Sequence, residues 1–406
     1  MFPPQTYIER RTQLKKALKN GIVFLPGNNE SPMNYPSNPY KFRQDSNFLY
    51  FFGIDNFNLC GIIDIDNDQD IIFGNDREID DIVWMGPEKK LTDRAIGVGV
   101  KITEPLKNLT DRLRNEKQKG RRIHFLPQYR HDLIILFEDW LNISPKNVNK
   151  EVSEDLIKAV VDQRSIKSAE EIEQIEQAIS ISFEMNKLAM KYAKPGIMEK
   201  EVCGAIEGLA LGMGNGISFP SIFSVRGEIL HNHSHENIMK DGDLLVIDSG
   251  SESELHYASD ITRTFPVNGK YSDKQKGIYN IVLKSQEEAI NSIKPNISFK
   301  EIHLTAAKEI TKGLNNIGIM KGNIYNAMEA GAHALFFPHG LGHMLGLDVH
   351  DMEGLGENFV GYNRKLKRSK QFGLSYLRLA KNLKPGYVLT VEPGIYFIPP
   401  LINEWK

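Results

Sequence analysis

Short apolar runs alternate with amphipathic segments along the first 150 residues. Four apolar runs are bounded by turn residues and predict strands at 21–27, 48–53, 59–65 and 70–74. Residues 129–142 follow the period of 3.6 residues that is typical of an amphipathic helix. This alternation predicts an α/β domain over residues 1–150.

A different pattern, with longer helical segments, begins beyond a polar stretch at residues 142–152. Ser168 and Glu171 have the spacing of a capping box, in which each side chain accepts a hydrogen bond from the other residue's backbone N–H. An apolar spacing of three and four residues then continues to Tyr192, and the same signature opens helices expected near 272–293 and 298–314. Strand-like runs lie at 243–248, 260–267 and 387–392. We therefore predict a junction over 151–167 and an α+β domain over 168–406.

Composition and charge restrict the class of protein. Of the 406 residues, 41% are hydrophobic and 25% are charged, which is close to the average of soluble globular proteins. The formal net charge of −2 differs from the basic excess of a nucleic-acid-binding domain, so we expect no nucleic-acid partner. The sequence shows no signal-peptide pattern and no run of 18 apolar residues. We therefore expect a cytoplasmic protein without a membrane partner.

The two cysteines, Cys60 and Cys203, are far apart in the sequence, and neither belongs to a CxxC motif. This pattern excludes a disulfide framework and argues against a zinc site built from cysteines. We therefore expect two reduced, buried thiols.

Two carboxylates lie on either side of a predicted turn. Asp248 ends one apolar run and Asp260 begins the next. A hairpin or a bulged strand pair would bring both side chains to one end of a sheet, where a carboxylate can bridge two divalent cations. The alternative interpretation is a pair of strand-end aspartates that face water, because Asp is usually exposed.

Histidines are concentrated in residues 338–351, which read PHGLGHMLGLDVHD. His339 and His343 are four residues apart, a spacing that places two imidazoles on one face of a helix. The glycines between them disfavour a regular helix, and a strand whose glycines permit a close approach is the alternative. Together with His350, three histidines in so short a segment indicate a functional site.

A second group of histidines, at positions 231, 233 and 235, precedes the strand predicted at 243–248. Alternate histidines on one strand face can bind a metal ion, and histidine also titrates near neutral pH as a general acid or base. A solvated loop is the alternative interpretation of this group.

Glu392 closes an apolar run immediately before a Pro-Gly turn. This position suits a carboxylate that points into a cleft at the end of a buried strand. A surface position is the alternative, because glutamate is mostly exposed.

Asp248, Asp260, His343 and Glu392 occur in the order Asp, Asp, His, Glu, each in its own local sequence. This order resembles the aminopeptidase P, prolidase and methionine aminopeptidase group, whose catalytic domain has the pita-bread fold. Residues 339–351 resemble the proline-peptidase signature throughout.

The resemblance extends into the N-terminal half of the chain. Residues 43–53 and 84–87 are similar to the N-terminal domain of aminopeptidase P, and residues 164–168 to the junction that follows it. Methionine aminopeptidases lack this domain, and creatinase lacks the metal ligands. The resemblance thus implies an α/β N-terminal domain of the creatinase type and an α+β pita-bread C-terminal domain.

The resemblance implies a site for two divalent metal ions. In it, Asp248 chelates one metal ion, Asp260 bridges both, and His343 binds the second. Glu392 binds at the dinuclear site and assists the attacking water. Mn²⁺ is the usual ion of the family and suits an oxygen-rich site, while Zn²⁺ and Co²⁺ are alternatives.

The remaining residues of the implied site contact the substrate. His231 and His350 line the pocket and support the tetrahedral intermediate, and His339 lies at the pocket rim. Trp84 contributes to the pocket of a neighbouring protomer in a homo-oligomer, either a dimer or a tetramer. A Trp84 packed within its own domain is the alternative.

The implied activity is that of a metallo-aminopeptidase that hydrolyses the N-terminal Xaa–Pro bond with a hydroxide shared by two metal ions. Two alternatives stay open. One is a prolidase restricted to Xaa–Pro dipeptides, and the other is a non-catalytic pita-bread scaffold that binds a peptide or a protein.

Three features depart from the family pattern. The spacing between Asp248 and Asp260 is one residue longer than expected, which a bulge can absorb. Extra sequence lies between Asp351 and Leu383, including a basic run at 365–370 that we expect on the surface. No residue matches the last glutamate ligand of the family, so we expect a pita-bread domain truncated at its C-terminal end.

Overall fold

The computed structural model describes residues 1–363 and 365–405. The chain forms two units, Met1–Arg164 and Ser165–Lys406. Most of the junction predicted at 151–167 is a helix, α7 (Glu154–Ser165). None of the helices among the described residues has the length and apolar character needed to cross a membrane.

The apolar runs of the first unit form a five-stranded sheet. Strands β1 (Ile22–Pro26), β2 (Cys60–Asp64) and β3 (Gln69–Phe73) form an antiparallel meander. Strands β4 (Ile102–Glu104) and β5 (Ile123–His124) pair in parallel with β3 and β1 and lie at the two edges. Three of the four strand predictions for this unit are confirmed.

The fourth strand prediction, at residues 48–53, is wrong, because this segment forms helix α2 (Ser46–Phe52). The Asp45 carboxylate accepts hydrogen bonds from the backbone N–H groups of Asn47 and Phe48 and caps the helix. Gly53 ends it in the left-handed conformation, with φ of 62°. Residues 48–52 are apolar and buried all round, so the sequence pattern had no period that could separate a helix from a strand.

Helices surround the sheet of the first unit. Phe24 of β1 packs against Trp140 with ring centroids 5.2 Å apart. The same core contains the apolar faces of the helices at 109–118 and 131–141. The remaining helices are α1 (Pro4–Leu18), α3 (Ile79–Met85), α4 (Leu91–Ile96), α5 (Leu109–Gln118) and α6 (His131–Leu141), with short 3-10 helices at Leu106–Asn108 and Val148–Lys150. The helix predicted at 129–142 is confirmed as α6, and so is the α/β class of this unit.

The second unit begins with two long helices, α8 (Ala169–Tyr192) and α9 (Glu199–Met213). Ser168 Oγ accepts from the N–H of Glu171 at 3.3 Å, and Glu171 Oε2 accepts from the N–H of Ser168 at 3.0 Å, so the predicted capping box is confirmed. The later helices are α10 (Asp273–Asn291), α11 (Phe299–Asn316), α12 (Ile324–Glu329), α13 (Glu357–Val360) and α14 (Pro399–Glu404), with 3-10 helices at Ala332–Leu335, Glu353–Leu355 and Leu374–Tyr376.

Three antiparallel strands pack against these helices. They are β6 (Ile222–Ser224), β7 (Leu244–Ser249) and β8 (Ile261–Pro266), in the order β6-β7-β8. The strands predicted at 243–248 and 260–267 are therefore confirmed. Residues 387–392 form an extended segment with one isolated bridge, Met344 to Leu389, in place of the predicted strand. The bridge stays isolated because its partner is the irregular histidine-rich segment.

The segment between Asp351 and Leu383 contains a small buried cluster, against which Leu304 of α11 packs. Tyr362, Leu374, Leu377 and Ala380 are buried together. The described basic run at 365–370 is mostly exposed, as predicted, and Arg368 forms an ion pair with Glu357. Both cysteines are free and buried, and burial raises the pKa of each thiol to about 12.

Candidate metal centre

The strand pair β7–β8 brings two aspartates together. Asp248 lies opposite Thr262 in the antiparallel register, so Asp260 is at the same end of the pair. Thr262 Oγ1 donates a hydrogen bond to Asp248 Oδ1 at 2.9 Å. A Cβ on Gly250, in the connecting loop, would lie 1.9 Å from the carbonyl oxygen of Ser259, so this loop requires glycine. The predicted hairpin is confirmed.

His343 and Glu392 come from two extended segments that are joined by hydrogen bonds. The N–H of Thr390 donates to the carbonyl oxygen of His343 at 3.0 Å, and the N–H of Glu392 donates to that of Leu341 at 2.9 Å. A Cβ on Gly342 would lie 2.1 Å from the carbonyl oxygen of Thr390. Glycine at position 342 therefore allows the histidine-rich segment to lie close to the backbone of Thr390. The helical interpretation of this segment is wrong.

Asp260, His343 and Glu392 converge, with one potential ligand atom from each lying within 4.8 Å of the others. His343 Nε2 is 3.1 Å from Asp260 Oδ2 and 3.3 Å from Glu392 Oε1. His343 Nδ1 donates to the carbonyl oxygen of Met344 at 2.9 Å, which leaves Nε2 directed at the carboxylates. Thr390 Oγ1 donates to Glu392 Oε1 at 2.8 Å and orients that carboxylate.

The cluster concentrates negative charge in a buried place. Burial and the repulsion from Asp260 raise the pKa of Asp248 to about 8, and Glu392 adds to this effect. Burial opposes protonation of His343, but Asp260 and Glu392 outweigh it and raise the pKa of the imidazole to about 10. Burial would raise the pKa of Glu392, but the hydrogen bond from His343 outweighs it and lowers this pKa.

This donor set fits divalent cations. Carboxylate oxygens with a single imidazole are the ligands preferred by hard and borderline metal ions. A cation would supply the positive charge that Asp248 and Asp260 need in order to be ionised side by side.

Three predicted substrate-binding histidines are near the cluster. The ring of His350 is 4.1 Å from that of His343 between centroids, and its Nδ1 donates to Glu353 Oε2 at 2.6 Å. Tyr396 Oη donates to His339 Nε2 at 3.1 Å, and burial lowers the pKa of this imidazole and keeps it neutral. His231 is exposed and close enough to His339 to lower that pKa further.

The group at 231, 233 and 235 forms an irregular segment in which the first two histidines are exposed, so the alternative of three histidines on one strand face is wrong. Trp84 belongs to the first unit, on helix α3, and its side chain is 86% exposed.

A cavity beside the cluster is lined by His343, His350 and Arg378, among other residues. Arg378 lies in the segment between Asp351 and Leu383 and pairs with Glu353, and its Nη1 is 3.6 Å from Glu357 Oε1. A guanidinium therefore faces the space next to the predicted metal ligands.

A buried ion pair supports the same region. Lys167 Nζ is 2.7 Å from Asp351 Oδ2, and both side chains are 1% exposed. Asp351 directly follows His350, so this pair holds the end of the histidine-rich segment.

The sequence interpretation missed several supporting residues. Thr262 and Thr390 each lie two residues from a predicted ligand on extended backbone, so strand alternation was a usable signal for both. Tyr396, Glu353 and Arg378 carried no local signal, because only folding brings them to the histidines.

Comparison with known proteins agrees with this geometry. Residues 173–406 match the model of metallopeptidase family M24, and residues 7–124 match that of the aminopeptidase P N-terminal domain. The Xaa-Pro aminopeptidase of Escherichia coli is 31% identical, over 97% of this chain and 87% of the relative. The Xaa-Pro dipeptidase of Rattus norvegicus is 30% identical, over 98% of this chain and 81% of the relative.

A solved structure shows the same fold. Zinc-substituted E. coli aminopeptidase P in complex with product superposes with a TM-score of 0.82 at 28% identity, covering 98% of this chain and 88% of that one. The α/β N-terminal domain and the pita-bread domain are thereby confirmed. The chain is an enzyme that belongs to metallopeptidase family M24, with an N-terminal domain of the aminopeptidase P type.

Proposed function

We propose that this enzyme hydrolyses the peptide bond between an N-terminal residue and proline, using two divalent metal ions held by Asp248, Asp260, His343 and Glu392. The observation that carries the proposal is the convergence of three ligand atoms within 4.8 Å, with Asp248 beside them. Mn²⁺ suits this oxygen-rich set best, and Zn²⁺ or Co²⁺ are the alternatives.

When bound, two divalent ions lower the pKa of a water to about 7 and polarise the scissile carbonyl. Glu392, oriented by Thr390, is placed to take the proton of the attacking water. As the imidazolium, with Nδ1 donating to Glu353, His350 would donate from Nε2 to the developing oxyanion. The loss of such a donor typically costs about 2.7–4 kcal/mol of transition-state stabilisation.

The histidines at the edge of the cluster would bind the substrate. His339 is neutral and held by Tyr396, so it presents a fixed, uncharged surface at the pocket rim. His231 lies beside it on an exposed loop. A proline nitrogen has no N–H to donate, so such a site must recognise the substrate through other groups.

An Xaa–Pro dipeptidase is the second candidate, and Arg378 favours it. A dipeptide ends in a carboxylate one residue after the scissile bond, and a guanidinium binds a carboxylate with two parallel hydrogen bonds. Arg378 faces the cavity that contains His343 and His350, and a substrate carboxylate would replace Glu353 or Glu357 as its partner. The rat relative named Xaa-Pro dipeptidase is consistent with this candidate.

We also propose a cytoplasmic homo-oligomer, a dimer or a tetramer, without nucleic-acid or membrane partners, in which Trp84 contributes to the pocket of a neighbouring protomer. Its high exposure on α3 supports a role outside its own core.

Metal binding is the first experiment. We expect two Mn²⁺ ions per chain by isothermal titration, and a large loss of binding for His343→Ala and Asp260→Asn. If the folded chain binds no metal ion, the proposed two-metal mechanism is wrong and the non-catalytic scaffold is favoured.

Substrate length is the second experiment. We expect Mn²⁺-dependent cleavage of an Xaa–Pro–Xaa tripeptide, no cleavage when alanine replaces proline, and separate rates for the Xaa–Pro dipeptide. If the dipeptidase candidate is right, Arg378→Met raises KM for the dipeptide, whereas the matched variant Arg368→Met, outside the cavity lining, leaves it unchanged.

A further inference from the structure

The loop that carries His231 has no regular secondary structure of its own. Residues 225–237 form an irregular segment that follows strand β6 and precedes the isolated bridge between Met198 and Ile238. His231 itself is exposed, and it is close enough to His339 to influence the pKa of that imidazole. Surface loops are generally more mobile than the elements they connect, so His231 keeps a defined place only if the loop is held by other groups.

A buried carboxylate joins the two ends of this loop. Glu199 is the first residue of helix α9, and its side chain is 0% exposed. The N–H of Val225 donates to Glu199 Oε1 at 2.7 Å. Asn237 donates to Glu199 Oε2 from its side-chain Nδ2 at 3.0 Å and from its backbone N–H at 3.3 Å. We call these three hydrogen bonds the Glu199 clamp, because one side chain holds the first and the last residue of the loop.

The backbone at the start of α9 supports the same end of the loop. The N–H of Glu199 donates to the carbonyl oxygen of Asn237 at 3.0 Å, and the N–H of Lys200 donates to that of His235 at 3.0 Å. The first N–H groups of a helix have no partner within the helix, so the loop supplies the acceptors that α9 needs. The beginning of α9 and the end of the loop therefore form one hydrogen-bonded unit.

A second anchor lies next to His231. Asn232 is 9% exposed, and its Nδ2 donates to the Oγ of Ser224, the buried last residue of β6. Strand β6 pairs with β7, where Ile222 lies opposite the predicted metal ligand Asp248. The loop is thus held at both ends by Glu199 and in its middle by the strand that neighbours the metal cluster.

The clamp requires a carboxylate. Both oxygens of an ionised carboxylate accept hydrogen bonds and neither donates, so donors from two different segments can be satisfied at once. An amide of the same size has one accepting oxygen, and its NH2 group would face the N–H donors at one of the two ends. A buried donor without an acceptor is costly, so that end of the loop would move away.

We propose that Glu199 is a positioning residue of the substrate site, which holds the loop through the clamp so that His231 faces the bound peptide. The inference rests on the proposed function, in which His231 lines the substrate pocket. Among the described residues, the Glu199 side chain hydrogen-bonds to Val225 and Asn237 and to none of the predicted metal ligands. Glu199 therefore acts on substrate binding and leaves the metal centre intact.

Glu199→Gln in the metal-loaded chain tests the proposal. Amide hydrogen exchange in residues 225–237 should become at least about 10-fold faster, because one end of the loop is released. The value of kcat/KM for an Xaa–Pro–Xaa peptide should fall about 10-fold to 100-fold. The binding of two Mn²⁺ ions should keep its affinity. Glu207→Gln, at a half-buried position of the same helix, should change none of these quantities.

A double-mutant cycle shows whether Glu199 acts through His231. Once His231→Ala has removed the imidazole, release of the loop has no histidine left to misplace. Glu199→Gln should therefore change kcat/KM by less than about 3-fold in the His231→Ala background. A general loss of structure would instead lower kcat/KM by the same factor in both backgrounds. Rates are compared well below the melting temperature of each variant.

Two results would overturn the inference. One is a Glu199→Gln chain with unchanged hydrogen exchange or unchanged kcat/KM, and the other is an equal loss of kcat/KM with and without His231. Failure of the proposed function gives a different result, because the original chain with both Mn²⁺ ions bound would then cleave no Xaa–Pro peptide. In that case the inference would be wrong together with the function on which it rests.

Discussion

The buried ion pair between Lys167 and Asp351 makes a quantitative prediction about the site. The pair joins the residue before the α8 capping box to the residue after His350, with 2.7 Å between Nζ and Oδ2. The N–H of Asp351 also donates to the carbonyl oxygen of Met344 at 2.9 Å, which ties the pair to the segment that carries His343. Removal of the ammonium group should therefore affect both stability and catalysis.

Lys167→Met keeps most of the aliphatic stem and removes the ammonium group that lies 2.7 Å from the buried Asp351 carboxylate. The loss of one partner from a buried pair typically costs about 3–5 kcal/mol. For a unit of this size, each kcal/mol lowers the melting temperature by about 2–4 °C, so we expect a decrease of about 6–20 °C. We also expect a lower kcat/KM, because His350 loses its support.

Thermal unfolding followed by circular dichroism measures this effect. The double variant Lys167→Met/Asp351→Leu should recover much of the lost stability, because it removes the buried carboxylate together with the ammonium group. Lys158→Met, which removes an exposed pair with Glu154, should change stability by less than about 1 kcal/mol. A loss below about 1 kcal/mol for Lys167→Met, or a double variant no more stable than the single one, would refute the reasoning.

Three further predictions follow from single positions. Gly342→Ala should destabilise the chain by about 1–3 kcal/mol, because its Cβ would lie 2.1 Å from the carbonyl oxygen of Thr390, whereas Gly354→Ala meets open space and should be nearly neutral in urea unfolding. Burial lowers the pKa of His303 to about 3. Below about pH 6.5 this imidazole is therefore protonated in the unfolded chain and stays neutral in the folded chain. The contribution of His303 to the free energy of unfolding is therefore fully present above that pH and decreases towards pH 3. Between pH 7.5 and pH 5, the free energy of unfolding should decrease by about 2 kcal/mol less in His303→Phe than in the original chain. Trp84→Ala should change the melting temperature little, because the side chain is 86% exposed, and a rise in KM would reveal its role in substrate binding.

Features that depend on neighbouring residues were accessible from the sequence. The capping box joins Ser168 to Glu171, and the hairpin joins two strands that follow each other directly in the chain, so the local sequence predicted both. The order of the four ligand-like residues likewise predicted the family. The uniformly apolar segment at 48–53 was misread because it carried no period.

The loop between the two aspartates shows the limit of local reasoning. The sequence suggested a bulge in the strand pair, whereas the connecting loop contains His256 in the left-handed conformation, with φ of 65°. His256 Nδ1 is 2.6 Å from Glu252 Oε2, and both side chains are largely buried. A polar contact within the loop thus stabilises a conformation that residue spacing does not predict.

The sequence by itself determined the helices α6, α8, α10 and α11, the strands β1–β3, β7 and β8, the family and the candidate ligands, because periodicity, caps and ordered motifs are local properties of the chain. Only the tertiary structure decided which groups meet. Asp260 and His343 are 83 residues apart in the chain and 3.1 Å apart in space, and Arg378 and Tyr396 reach the histidines only through folding. The exposure of Phe183 on α8 was also hidden in the sequence, because a helix pattern shows which residues are apolar, whereas burial depends on what packs against each face.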